Sequence, residues 1–229
     1  MHNLQAYNQQ TFAMSWINVP ELHSFPIQNL PYGVFTSRSR NHSERRIGVA
    51  IGDFVLDLRS LHFAGLFDDL SFDARVFTHG TLNAFMALDK SCWKATRTRI
   101  TNLLSSTSTD RRLRDDHILQ QESIFPMSEI DMHLPADIGD YTDFYSSKEH
   151  ATNVGIMFRG KDNALQPNWM HLPVGYHGRA SSVVISGTDV VRPYGQLQRN
   201  STDPTAGSTF GPSKTLDFEL EMAFFVGGM

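Results

Sequence analysis

The sequence predicts a mainly β fold with some α-helix, organised in two parts. Apolar runs on either side of Gly52-Asp53 favour a β-hairpin over residues 47–58, because these residue types suit a tight turn. Apolar and acidic residues alternate over 216–226, which is typical of a strand with one apolar and one acidic face. We therefore expect a β-rich domain with helices over 14–133, followed by a mainly β domain of which 134–229 is an incomplete part.

The helical part of the first domain is predicted to begin at Thr81, a suitable N-cap residue. Apolar residues then recur at helical spacing and should face the core: Leu82, Phe85, Met86, Trp93, Ile100, Leu103 and Leu104. The Ser/Thr-rich stretch 105–109 should end this helix, and the charged residues 110–122 suit a second, more exposed one. Residues 1–13 are expected to be a disordered extension.

Later elements are marked by proline, glycine and short apolar runs. Pro126 and Pro135 bracket a predicted linker between the two domains. Residues 183–186 have the composition of a strand, and 195–212, rich in Gly, Ser, Thr and Pro, are predicted to be a long loop.

Composition restricts the kind of partner. A net charge of −4 gives no electrostatic reason to expect binding to nucleic acid or to an anionic membrane. No run approaches the ~20 apolar residues of a membrane span, and residues 1–13 lack the features of a secretory signal. The single cysteine, Cys92, excludes an internal disulfide, which is consistent with the reducing cytoplasm. We interpret Cys92 as a small core residue on a helix.

The acidic segment, residues 216–226, carries three carboxylates on one predicted face: Asp217, Glu219 and Glu221. Residues two apart on a strand lie roughly 6.5–7 Å from each other, so such carboxylates repel unless a cation or solvent relieves them. Oxygen-rich sites of this kind suit Mg²⁺ or Ca²⁺. The alternative is an acidic strand face that is simply solvated, since most acidic alternation lies at the surface.

A second stretch, residues 140–155, places a carboxylate, two tyrosines and a histidine close together in sequence. It continues through Phe158-Arg159-Gly160 to the run 172–182, which begins Leu-Pro-Val-Gly-Tyr-His-Gly-Arg. These runs, together with 219–227, resemble the fumarylacetoacetase family nearly letter for letter, and weaker similarity extends back to residues 25–35. The resemblance covers roughly residues 14–227, and its second-half motifs are long and specific.

The resemblance implies a chemistry and assigns residues to it. It implies hydrolysis of a carbon–carbon bond, 4-fumarylacetoacetate plus water giving fumarate and acetoacetate, the last step of tyrosine and phenylalanine catabolism. The metal-binding carboxylates would be Asp143, Glu219 and Glu221, with Mg²⁺ or Ca²⁺ as the ion. The general base would be His150, and the substrate contacts would be Tyr145, Arg159 and Tyr176. An SH3-like N-terminal barrel, a β-roll catalytic domain and a homodimer of the full-length protein are also implied.

Each of these residues also has an ordinary structural interpretation. Asp143 suits a turn or a helix cap, Arg159 an exposed surface, and Tyr145 and Tyr176 a core with bonded hydroxyls. Two further functions stay open: another oxo-acid hydratase or decarboxylase of the wider superfamily, and a non-catalytic interaction piece. Because the family's further metal aspartate, lysine, arginine and glutamate match no residue here, we expect this chain alone to be inactive. The apolar face of 216–226 should then lack sheet neighbours.

Overall fold

The structure is a computed structural model that describes residues 14–39 and 42–228. The predicted extension, residues 1–13, lies outside the described residues. The largest element is a five-stranded antiparallel sheet with the strand order β4-β3-β2-β1-β5. Its strands are β1 (Tyr32–Ser37), β2 (His42–Ile51), β3 (Phe54–Asp57), β4 (Ile124–Pro126) and β5 (Ile130–His133).

The predicted hairpin is present as β2 and β3. Ile51 pairs with Phe54 across the turn, and Gly52 there has φ of 52°, a conformation that favours glycine. β3 leads directly into α1 (Leu58–Phe63), whose N-cap is Asp57. The Asp57 carboxylate is fully buried, accepts hydrogen bonds from Arg59 N and Ser60 Oγ, and pairs with Arg46 at 2.5 Å. This buried network fixes the junction between sheet and helix.

The predicted linker between Pro126 and Pro135 is wrong. Ile130–His133 within it form the edge strand β5 on β1, and Pro126 is the last residue of the opposite edge strand, β4, on β3. Both strands are very short, and Pro126 is tolerated because an edge strand leaves one side of its backbone unpaired. The sequence suggested a linker because proline is common in linkers, but the neighbouring Phe125 is fully buried in the core.

The predicted helix after Thr81 is interrupted. It forms α2 (Asn83–Met86), with Leu82 at the N-cap, and α3 (Lys90–Leu104), with non-helical residues between them. The predicted inward residues are buried or packed against the core, and the Ser105 N–H closes α3 on Thr101 O. The second helix, α4 (His117–Ser123), is shorter than predicted. Cys92 lies on α3 and is partly buried.

Short elements make up the rest of the chain: β6 (Thr142–Phe144), α5 (Lys148–Arg159), β7 (Gly175–His177), β8 (Tyr194–Gln198) and β9 (Ser208–Pro212). β6 pairs with β7, and β8 with β9, both antiparallel. Residues 195–212 are therefore mostly a hairpin and not the predicted loop, while 183–186 form no strand. With helices and strands of similar extent, the fold is mixed α/β and not mainly β.

The apolar core belongs to the five-stranded sheet and the helices around it. After Ala136, the buried apolar side chains of the described residues are those of Ala151 and Ala164. The predicted strand over the acidic segment is not formed. The apolar side chains of this segment are exposed, as expected, and Leu220 is 98% exposed. None of the described helices is both long and apolar enough to cross a bilayer.

The acidic segment is nevertheless anchored at its C-terminal end. Gly228 N donates to Met86 O at 2.7 Å, at the end of α2. Gly227 lies so close to the Trp93 ring that a Cβ at position 227 would stand 2.8 Å from it. Because only glycine fits at that separation, the Gly227-Gly228 pair docks this end of the segment onto the corner between α2 and α3.

Candidate active site

Asp143 is positioned by the pairing of β6 with β7. The register places Asp143 directly opposite Tyr176, so their side chains share one face of the ladder. The hydroxyls of Tyr176 and Tyr141 both donate to Asp143 Oδ2, at 3.0 and 3.1 Å. These hydrogen bonds to the carboxylate raise the pKa of both tyrosines, because the bonded hydroxyl proton is harder to remove. Two phenols thus hold one carboxylate oxygen.

Gly178 makes room for the Tyr141 ring. A Cβ at position 178 would lie 2.1 Å from Tyr141 Cδ1, which no side chain can tolerate without movement of the ring. The Gly178 N–H also donates to Tyr141 O at 2.7 Å. The glycine of the Tyr-His-Gly run is therefore needed for the position of Tyr141 beside Asp143.

His150 is positioned by the first turn of α5. Ser147 caps this helix, and its Oγ accepts from His150 N at 3.3 Å. The Tyr145 ring meets the imidazole edge-on, with centroids 5.6 Å apart, and its hydroxyl donates to Ala151 O. Trp169 Nε1 in turn donates to Tyr145 O at 2.8 Å. Tyr145 therefore contacts the imidazole with its ring, while its hydroxyl and its backbone carbonyl are held by Ala151 and Trp169.

The acidic segment brings two carboxylates to this histidine. His150 Nε2 lies 3.4 Å from Glu219 Oε1, and one ligand atom each from His150, Glu219 and Glu221 lies within 4.8 Å of the others. The imidazole is 34% exposed and the Glu219 side chain 45% exposed, so the cluster opens to solvent on one side. His150 is thus brought close to two glutamates that are distant from it in sequence.

The charges in this cluster repel each other. The pKa of Glu221 is raised, first by desolvation and then by the negative charges of Asp143 and Glu219, while His150 opposes the shift. Asp143 lies outside the three-residue cluster but close enough to contribute to this effect. An added cation would relieve the repulsion, and a donor set dominated by carboxylate oxygens is the kind that Mg²⁺ and Ca²⁺ prefer. The residues present therefore fit the metal ion implied by the resemblance.

The predicted site residues do not all meet at this cluster. His150, Glu219 and Glu221 are brought together. Asp143 stays outside this cluster but acts electrostatically on Glu221, and Tyr176 and Tyr145 contact Asp143 and His150 respectively. Arg159, in contrast, donates to the carbonyl oxygens of Asn163 and Ala164, at 3.1 and 2.8 Å, and so holds the loop after α5.

Tyr141 and Asp217 are sequence neighbours of the predicted site residues. Tyr141 was not predicted as a site residue, and the only signal for it was its place in the motif Asp140-Tyr141-Thr142-Asp143. Asp217, excluded from the predicted ligands although it shares their face, accepts from Phe218 N with its own carboxylate. It takes no part in the three-residue cluster.

Comparisons with known proteins agree with the motifs. A family model described as Fumarylacetoacetase N-terminal matches residues 28–135. The chain is 56% identical over 214 residues to the fumarylacetoacetase of Rattus norvegicus, and this alignment covers 93% of the chain and 49% of the relative. It is 56% identical to that of Caenorhabditis elegans, with 93% and 50% covered, and 55% identical to that of Homo sapiens, with 93% and 49% covered. The resemblance to the fumarylacetoacetase family is therefore confirmed, and the chain spans about half the length of these curated relatives.

Proposed function

We propose that this chain supplies the metal-binding and proton-transfer part of a carbon–carbon bond hydrolase that converts 4-fumarylacetoacetate and water into fumarate and acetoacetate. The observation that carries this proposal is the convergence of His150, Glu219 and Glu221 within 4.8 Å, with Asp143 beside them. The name fumarylacetoacetase, carried by relatives 55–56% identical to this chain, supports the choice of substrate.

Two tasks must be performed in this hydrolysis. Water must become nucleophilic enough to attack a carbonyl carbon, and the carbon that leaves must carry its electron pair as an enolate. A bound Mg²⁺ or Ca²⁺ would supply Lewis-acid stabilisation of the developing enolate charge. Asp143, Glu219 and Glu221 are the residues that would hold the ion, and because these ions prefer oxygen ligands, the imidazole of His150 stays available for proton transfer.

His150 is the general base of the proposed reaction. Its Nε2 accepts a proton from water, the resulting hydroxide attacks the carbonyl carbon, and the proton lost to the imidazole is balanced when the departing carbon is protonated to give acetoacetate. Glu219 stabilises the protonated imidazole at 3.4 Å, and the Tyr145 ring limits its rotation. An imidazole suits this task because its unperturbed pKa lies near ~6.5, close to neutral pH.

Substrate would be contacted at the edge of the cluster. Tyr176 is 62% exposed, and its hydroxyl, bonded to Asp143, faces the space where substrate oxygens would bind. Tyr145 adjoins His150 through an edge-on ring contact. Arg159 would contact a substrate carboxylate through a bidentate pair, after releasing the loop carbonyls to which it donates here.

We extend the proposal to the whole protein. The five-stranded sheet would belong to an SH3-like barrel over 14–133, and 134–229 would be part of a β-roll catalytic domain that forms a homodimer in the full-length protein. A cytoplasmic location is supported by Cys92, which is free and partly buried.

Calorimetric titration of the purified chain with CaCl₂ and MgCl₂ tests the site. We expect one ion per chain and a loss of at least about 10-fold in affinity for Glu219→Gln, which removes a charged ligand. Asp217→Asn is the matched control, because Asp217 lies on the same segment outside the cluster and bonds to its own backbone, so its affinity should match the wild type. Equal weakening by both substitutions would show a diffuse charge effect and contradict a defined site.

The exposure of the cluster favours a second candidate, a metal-binding piece that does not turn over substrate. An open site leaves bulk water around the charges and weakens the electrostatic stabilisation on which catalysis depends. Incubation of the chain with 4-fumarylacetoacetate and Mg²⁺, followed by the loss of the diketone's ultraviolet absorbance, tests this second candidate. We expect no turnover by this chain alone, and a rate like that of a full-length relative would refute the second candidate.

A further inference from the structure

Asp143 is held differently from the other carboxylates of the site. Both of its hydrogen bonds fall on Oδ2, one from Tyr141 and one from Tyr176. Among the described residues, Oδ1 receives no hydrogen bond. Two donors on one oxygen fix the rotation of a carboxylate about its terminal torsion, which is otherwise broad. Oδ1 is therefore the oxygen left for a ligand.

We propose that Tyr141 is a positioning residue that orients the Asp143 carboxylate so that Oδ1 is presented to the ion held by Glu219 and Glu221. This inference rests on the proposed function, because it needs an ion at the cluster. Groups that hydrogen-bond to metal ligands set the orientation of those ligands, and their removal typically weakens metal binding by about 10- to 100-fold.

The two tyrosines differ in their surroundings. Tyr176 is 62% exposed at the edge of the site, where it is the proposed substrate contact, so its hydroxyl can exchange Asp143 for a substrate oxygen. Tyr141 is only partly exposed, and its ring lies against Gly178, where a Cβ would be 2.1 Å away. The backbone bond from Gly178 N to Tyr141 O, at 2.7 Å, restrains it further. Tyr141 is thus the phenol that stays on Asp143 when substrate binds.

A purely structural Tyr141 would act in another way. It would hold β6 against β7 through its ring, and this packing survives replacement of the hydroxyl by hydrogen. A positioning role depends on the hydroxyl, because the ring alone makes no bond to the carboxylate. Tyr141→Phe therefore separates the two roles, since it removes one oxygen atom and leaves the ring in place.

Two measurements on the purified chain test the role. The first is calorimetric affinity for Ca²⁺, and the second is the luminescence decay of bound Eu³⁺ in H₂O and D₂O, which reports the number of water molecules on the ion. For Tyr141→Phe we expect Ca²⁺ affinity to fall by about 10-fold or more. The water count should rise by about one, because water takes the place that Oδ1 leaves.

Gly178→Ala perturbs the same contact without touching the hydroxyl. The new Cβ displaces the Tyr141 ring, so this variant should reproduce both changes if it folds. Tyr194→Phe is the control, because it removes the same hydroxyl from a tyrosine on β8, outside the site, whose ring faces that of Phe210. It should leave affinity and water count at the wild-type values.

The outcomes distinguish this inference from the function on which it rests. If the wild-type chain binds neither Ca²⁺ nor Eu³⁺, the proposed metal site is wrong and the positioning role falls with it. If the wild type binds and Tyr141→Phe matches it in affinity and water count, the positioning role alone is overturned. Should Gly178→Ala fail to fold, Tyr141→Phe decides the question by itself.

Discussion

Tyr32 gives a quantitative prediction about the stability of the sheet at alkaline pH. It is the first residue of β1, and its ring packs on Phe85 at 5.2 Å, with the Arg97 guanidinium 5.4 Å from the ring centre. Its hydroxyl is buried and has no hydrogen-bond partner among the described residues. Burial raises the pKa of Tyr32 to about 12, although the Arg97 charge acts in the opposite direction.

The direction of the pH effect on stability follows from the protonation of Tyr32 in the folded and unfolded states. Below pH 10 the Tyr32 hydroxyl is neutral in both the folded and the unfolded chain. Between pH 10 and about 12 it ionises in the unfolded chain first, so the free energy of unfolding falls as the pH rises. Two pKa units at ~1.36 kcal/mol each give a loss of about 3 kcal/mol across this window.

Tyr32→Phe removes the ionisable group and keeps the ring. We expect the variant to be within about 1 kcal/mol of the wild type at neutral pH, or slightly more stable, because the hydroxyl that it lacks is buried without a partner. Urea unfolding of both proteins from pH ~8 to ~12 should show the variant gaining about 3 kcal/mol relative to the wild type. Taking the difference cancels other tyrosines and lysines, and Tyr194→Phe, exposed on β8, should show no such gain.

Parallel pH profiles for the wild type and Tyr32→Phe would refute this reasoning. They would mean that the hydroxyl reaches solvent in the folded chain and ionises there as readily as in the unfolded one. The reasoning would also be contradicted if Tyr32→Phe were already about 3 kcal/mol more stable than the wild type at pH 8, since the neutral hydroxyl and not its ionisation would then cause the difference in stability.

Three further predictions concern the sheet, the loop after α5 and the site. Asp57→Asn should lower the free energy of unfolding in urea by about 3–5 kcal/mol, because it leaves the largely buried Arg46 guanidinium without its charge partner. Gly155→Ala should lose protection from amide hydrogen exchange in α5 and in the following loop, because its Cβ would stand 1.8 Å from Ala164 O; wild-type protection would contradict the close contact. Ca²⁺ binding should release protons at mildly acid pH, and its affinity should fall as the pH falls through the raised pKa of Glu221. Calorimetry in buffers of different ionisation enthalpy would measure the number of protons released. Binding without proton release would count against Glu221 as a ligand.

The parts of the fold that sequence predicts well are those with a local signal. The hairpin of β2 and β3 is visible because Gly52-Asp53 separates two apolar runs. The apolar spacing after Leu82 identifies the buried faces of α2 and α3, but not the break between them, because both helices face the same core and the periodicity continues across the gap. β8 and β9 have no such signal, since no residue of either strand is buried.

The candidate site also has a part that the sequence predicts and a part that it does not. Asp143, His150, Glu219 and Glu221 were predicted as a group from the family resemblance. The structure brings His150, Glu219 and Glu221 together and leaves Asp143 outside that cluster, near enough to act electrostatically on Glu221. The hydrogen bond from Tyr141 was not predicted, although Tyr141 lies only two positions from Asp143, because the place of its ring depends on the space left by Gly178. Contacts of this kind depend on pairing between distant parts of the chain, which residue types alone do not specify.

The docking of Gly227-Gly228 beside Trp93 has a practical consequence. The indole lies against Gly227, and its Nε1 donates to Phe85 O, so its environment changes when the end of the acidic segment leaves the corner between α2 and α3. Trp93 is therefore an intrinsic fluorophore for the attachment of the acidic segment that carries Glu219 and Glu221. In a chain with Trp16 and Trp169 replaced by phenylalanine, its emission would follow that attachment in real time without any added label.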